Sequence, residues 1–106
     1  MSNDRFSVSR VPMYGQGGSI SYTGTAANSS SLSPGIGGVW ITCSTDAWAR
    51  LAPVVNATAP AALTSDFFCP ASQTMWIPND DNTGQPIQLS VIRDAASGTA
   101  RFTPGT

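Results

Sequence analysis

Apolar residues recur at every second position along much of this chain, and little in it favours a helix. Ile20 and Tyr22 alternate with Ser19, Ser21 and Thr23; Val39, Ile41 and Cys43 alternate with Trp40 and Thr42; Ala47, Ala49 and Leu51 alternate with Asp46, Trp48 and Arg50. Met75 and Ile77, then Ile87, Leu89 and Val91, then Ala100 and Phe102 repeat the pattern, and Phe6 with Val8 and the pair Phe67-Phe68 add shorter segments. A two-residue period places alternate side chains on opposite faces of an extended strand. Glutamate and lysine are absent, whereas serine and threonine are abundant and eight prolines and ten glycines are spread along the chain. That mixture works against helix interiors and suits strands and turns. The longest alanine-rich stretch, Asn56 to Leu63, contains Pro60 and has room for one short turn of helix at most.

The expected fold is therefore all-β, an antiparallel β-sandwich or jelly-roll-like small barrel of about seven or eight strands. A length of 106 residues suits one domain. The glycine cluster Gly15-Gln16-Gly17-Gly18 divides it into an N-terminal arm over 1–18 and a sandwich domain over 19–106. Asp94-Ala95-Ala96-Ser97-Gly98 reads as a type I turn with the glycine in the left-handed region. The serine-rich stretch from Ala26 to Gly38 reads as a long connection or mobile loop.

Charge narrows the chemistry. The cations are five arginines, the anions six aspartates, and there is no histidine; the net charge is -1. Without imidazole there is no Ser-His-Asp or Cys-His pair and no histidine metal ligand. Paired aspartates need a large cleft, for which so short a chain of strands has no spare segment, so no enzyme activity is expected. Nothing in the charge balance attracts a phosphate backbone, so nucleic acid is not an expected partner. No run of 18 apolar residues exists, so no membrane span is expected. Met1-Ser2-Asn3-Asp4-Arg5 lacks the apolar core of a signal peptide, which points to synthesis in a cytosol. Cys43 and Cys69 form no CxxC motif, cannot by themselves close a zinc site, and are expected as free buried thiols unless the fold and an oxidising compartment pair them.

Other motifs fall away. Asp80-Asp81-Asn82-Thr83-Gly84 suggests calcium, but the closing glutamate of such a loop is missing and Val91 stands in its place, so a solvated turn is the better reading. The sequons at Asn28 and Asn56 carry no weight without export. The glycine cluster lacks the strand-loop-helix context of a phosphate cradle. No cofactor is expected.

The tryptophans are more informative. Trp40, Trp48 and Trp76 each stand on the strand parity opposite to the aliphatic residues, Trp48 beside Asp46 and Arg50. Either the aliphatic face is the core and the tryptophans lie outward as an interface, or some strands are buried on both faces. In the arm, Phe6, Val8, Val11 and Met13 would anchor a strand added to a neighbour's sheet edge; the competing reading is a frayed terminus.

From Val39 to Thr103, "VWITCSTDAWARLA", an Ala/Thr/Asn-rich link, "DFFCPASQTMWIPND" and "IQLSVIRDAASGTARFTP" together resemble a group of small phage and prophage virion proteins. The resemblance covers about two-thirds of the chain and carries no catalytic signature; the arm and serine-rich stretch are less typical. It implies a structural subunit of a tailed-phage particle, made in the bacterial host cytoplasm and located in the virion, at the capsid surface, the head-tail junction or the tail. Its partners would be other virion proteins and further copies of itself; a trimer would suit a lattice. Phe6, Val8, Val11, Met13, Trp40, Trp48, Arg50 and Trp76 are then the candidate interface residues. The alternative from a different class is a carbohydrate-binding module for host recognition, with Trp48 or Trp76 stacked on sugar rings.

Overall fold

The computed structural model of the chain describes residues 11–54, 60–80 and 84–106. Among them there is no helix, and eight strands form two antiparallel sheets of four. The strands are β1 (Gly18–Tyr22), β2 (Ala27–Asn28), β3 (Gly38–Cys43), β4 (Ala47–Pro53), β5 (Phe67–Cys69), β6 (Thr74–Pro78), β7 (Ile87–Arg93) and β8 (Gly98–Gly105). The first sheet has the order β1-β8-β3-β6 and the second β2-β7-β4-β5. The chain thus crosses between layers at almost every connection and wraps its outer strands around its inner ones. That connectivity is the eight-stranded jelly roll, one of the two architectures expected.

Strand parity fixes the core. Ile20, Tyr22, Val39, Ile41, Cys43, Ala100 and Phe102 point inward from the first sheet; Ala47, Ala49, Cys69, Ile87, Leu89 and Val91 point inward from the second. None of these side chains carries a charge, so the two layers close without a buried ion to compensate. Tyr22 brings a hydroxyl to the core's rim, where it donates to the Thr45 carbonyl at 2.8 Å and accepts from the Thr45 amide at 3.1 Å. Cys43 on β3 and Cys69 on β5 are free and fully buried, and their thiols interact across the layers. Contact with the Cys69 thiol favours the Cys43 thiolate and holds Cys43 below the usual thiol range; the same interaction, together with burial, pushes Cys69 well above it.

Three expectations change. The serine-rich stretch is not merely a connection: it contains β2, whose Ala27 and Asn28 pair with Val91 and Ser90 of β7. Leu32 then exchanges backbone hydrogen bonds with Ile87 at 2.7 and 3.1 Å. Gly98 is not left-handed; only Gly15 and Gly84 are the glycines with positive φ. It is the first residue of β8, and its need for glycine is one of space, since a Cβ there would come within 2.5 Å of Ser44 Oγ and 2.7 Å of the Tyr22 hydroxyl. The end of the arm, finally, is docked on its own domain. Met13 N donates to the Pro104 carbonyl at 2.9 Å, Thr106 N to the Val11 carbonyl at 3.1 Å, and Val11 N to Thr106 Oγ1 at 3.2 Å. Met13 packs against the core cluster, and a turn through Tyr14 and Gly15 leads into β1. Residues 55–59, which hold part of the alanine-rich stretch, lie outside the described residues, as do 81–83 of the acidic loop.

The edges of the second sheet are short. In the second sheet β2 has two residues and β5 three, and Pro70 follows β5 directly. In the first sheet β6 stops at Pro78. Proline and brevity both limit what another strand could pair with.

Ile41 lies at the middle of β3, is fully buried, and pairs with Phe102 on one side and Met75 on the other. Ile41→Ala is expected to cost about 3 kcal/mol through lost burial and the cavity left behind. Urea unfolding followed by circular dichroism measures it, and a cost below about 1 kcal/mol would contradict this placement of the core.

Candidate functional site

The jelly roll leaves two broad outer faces, and the tryptophans divide between them. On the first sheet Trp40 and Trp76 are directly opposite across β3 and β6, with ring centroids 4.8 Å apart and planes inclined at 59°. Both are half-buried. The rings settle over the backbone because Gly38 and Gly105 leave room: a Cβ on Gly38 would meet Trp76 Cζ2 at 2.7 Å, and one on Gly105 would meet Trp40 Cζ3 at 2.7 Å. Beside Trp40, the docked segment and β8 frame a shallow hollow of about 350 Å³ lined by Pro12, Tyr14, Trp40 and Thr103.

One pleat further along the same face the side chains become polar. Ser19, Arg101, Thr42 and Thr74 follow one another across β1, β8, β3 and β6. The Thr42 and Thr74 hydroxyls share a 2.8 Å hydrogen bond. Beyond them Thr42, Cys43, Ser44, Ser72, Thr99 and Arg101 line a second open hollow of about 420 Å³. Ser72 holds a left-handed backbone at φ 61° there, and its amide donates to the Cys43 carbonyl at 2.7 Å. That conformation is costly for a residue with a Cβ.

The second sheet presents a different surface. Phe68, Trp48 and Ile92 lie in one row across β5, β4 and β7. Trp48 and Phe68 meet with ring centroids 4.9 Å apart and planes inclined at 56°, and the Trp48 indole donates to Asp94 Oδ1 at 3.1 Å. Arg50 pairs with Asp66 at 3.0 Å, and the other Asp66 oxygen accepts from the Leu63 amide at 2.8 Å. The Ala62 amide donates to the buried Ser90 hydroxyl, which ties the 60–66 segment over this face and leaves Leu63 54% exposed.

The aliphatic face is the core, and the three tryptophans stand half-buried on the opposite faces, each beside an aromatic neighbour. The predicted residues do not converge on one site. Trp40 and Trp76 share one face, Trp48 and Arg50 the other, and Arg50 is occupied by Asp66. Val11 and Met13 lie against β8, whereas Phe6 and Val8 lie outside the described residues. Asp46, read as a flank of Trp48, instead accepts from the Ala71 amide at 2.8 Å. Sequence reasoning missed Tyr14, Phe68, Ile92 and Arg101. Phe68 had a usable signal, since its position beside Phe67 gives it the opposite parity. Tyr14 and Arg101 had none, because what makes them notable is what stands across the sheet from them.

No protein-family model, curated protein or solved structure matches this chain. What its faces do is read from the residues themselves. Among the described residues no group of three or more acidic or cysteine side chains is placed to hold a metal ion.

The glycine bed under the tryptophan pair gives a direct test. Gly38→Ala would force a Cβ against the Ile77 carbonyl as well as the Trp76 ring. It is expected to destabilise the fold by about 1–3 kcal/mol and to diminish the near-ultraviolet circular dichroism of the coupled indoles. An unchanged spectrum and unfolding midpoint would refute the arrangement.

Proposed function

We propose that this chain is a structural subunit of a tailed-phage particle, one that binds the particle by protein-protein contacts and decorates or reinforces it. The observation that carries this reading is the apolar row Phe68-Trp48-Ile92 on the solvent side of the second sheet, with Leu63 projecting from the segment that covers the same face. Large aromatic side chains, partly exposed and with polar and charged groups at their rim, are what the centre of a protein-protein interface is made of. The rim supports it: Arg50 and Asp66 neutralise each other, so a partner need not supply a counter-charge. The virion assignment rests on the resemblance over Val39 to Thr103. The jelly roll is compatible with it, being common among viral capsid domains, although a fold by itself does not specify function. Self-association into a closed symmetric oligomer belongs to the same proposal.

Phe68 is 38% exposed on an edge strand, so Phe68→Asp is expected to leave the fold intact while placing a charge in the middle of the row. The wild-type protein should co-sediment with empty particles or tail assemblies of the phage or prophage that encodes it, and the variant should bind at least tenfold more weakly. Near-ultraviolet circular dichroism checks that the variant is folded. Failure of the wild-type protein to bind either assembly would overturn the virion assignment; equal binding by the variant would overturn the choice of face.

A further inference from the structure

The outer face of the first sheet is not needed for that proposal and has a chemistry of its own. We infer that it binds an anionic glycan, an oligosaccharide carrying carboxylate or phosphate groups, laid along β3 and β8 from the Tyr14–Trp40 hollow to the Arg101–Ser72 hollow.

Four observations bear on this. The first is the cation. Among the described residues Arg50 pairs with Asp66 and Arg93 reaches Ser97, but Arg101 is exposed with neither hydrogen bond nor ion pair. No strand position on its face is acidic. A guanidinium kept free of carboxylates on an otherwise neutral sheet is complementary to a ligand anion, and its planar fork suits a carboxylate or phosphate oxygen pair. The second is the set of hydroxyls around it: Ser19 and Thr42 are its cross-strand neighbours, and Ser44, Ser72 and Thr99 line the same hollow. Each can both donate and accept, which matches the hydroxyls of a sugar. The third is the aromatic end, where Tyr14, 86% exposed, and Trp40 border the other hollow and offer ring faces to the apolar face of a pyranose.

The fourth is length. Trp40 and Thr42 succeed one another along β3 and Ser44 follows just past its end, so at about 3.4 Å per residue the track from the aromatic hollow to the polar one runs about 14 Å. That exceeds a single sugar ring and calls for an oligomer. A single cation is too little for nucleic acid, which draws its affinity from several neutralised phosphates. A proline-rich peptide would use the aromatic hollow but leave the guanidinium and hydroxyls unmatched.

The test uses the full chain, with calorimetry and tryptophan fluorescence as readouts. The probes are an oligogalacturonate, its methyl ester of the same length, a phosphomannan oligosaccharide and a proline-rich peptide. The oligogalacturonate or the phosphomannan should bind at least tenfold more tightly than the neutral ester, and which of them does so identifies the anion. Arg101→Ala should remove that preference, Arg101→Lys should restore part of it, and Tyr14→Ala should weaken charged and neutral oligosaccharides alike. Binding within threefold for charged and neutral probes would overturn the inference. So would binding unchanged by Arg101→Ala, or binding of the peptide alone. Because Arg101 and Phe68 lie on opposite faces, Arg101→Ala should still bind particles and Phe68→Asp should still bind the glycan, so either proposal can fail without the other.

Discussion

Strand β8 is the member on which the first sheet depends. It lies between β1 and β3, and β1 has no other neighbour in that sheet. Its inward residues Ala100 and Phe102 fill the core, its outward residues Thr99, Arg101 and Thr103 form the middle of the polar and aromatic face, and its end receives the docked segment at Val11–Met13. Removing this one strand would leave β1 unpaired, Tyr22 uncovered and both hollows of the outer face without a wall. The pairing joins residues some eighty positions apart in sequence, such as Gly18 with Phe102. Most of the contacts that define the fold likewise join residues distant in sequence, a topology that folds slowly.

The second dependence is on small side chains. Ala47, Ala49 and Ala100 allow the layers to approach, and the two thiols meet where the sheets come close. Glycine does the same on the outside, where Gly38 and Gly105 let two indoles lie on the backbone and not stand away from it.

Much of the architecture was legible because the two-residue period is strong at the inner strands. Val39, Ile41 and Cys43, or Ile87, Leu89 and Val91, can be placed inward from the sequence alone. Strand β2 could not be read, since Ala27 and Asn28 show no alternation and are held there by backbone hydrogen bonds to β7. The faces were legible only as pairs of alternatives. Parity says that Trp40 and Val39 point in opposite directions, but which way is outward depends on the partner sheet. The candidate surfaces were the least legible part. Phe68, Trp48 and Ile92 come from three strands, and Arg101 is notable for the absence of a carboxylate opposite, a property of the pairing and not of any local motif.

The short edges of the second sheet have a consequence for how such a molecule behaves when crowded. Sheets with long free margins extend one another indefinitely once the local concentration is high, and the result is fibrous. Here the second sheet's margins are two and three residues long, and a proline ends β6 in the first. On the second sheet's side, therefore, little margin is left for strand-by-strand extension, and contact there would fall to side chains on the broad face.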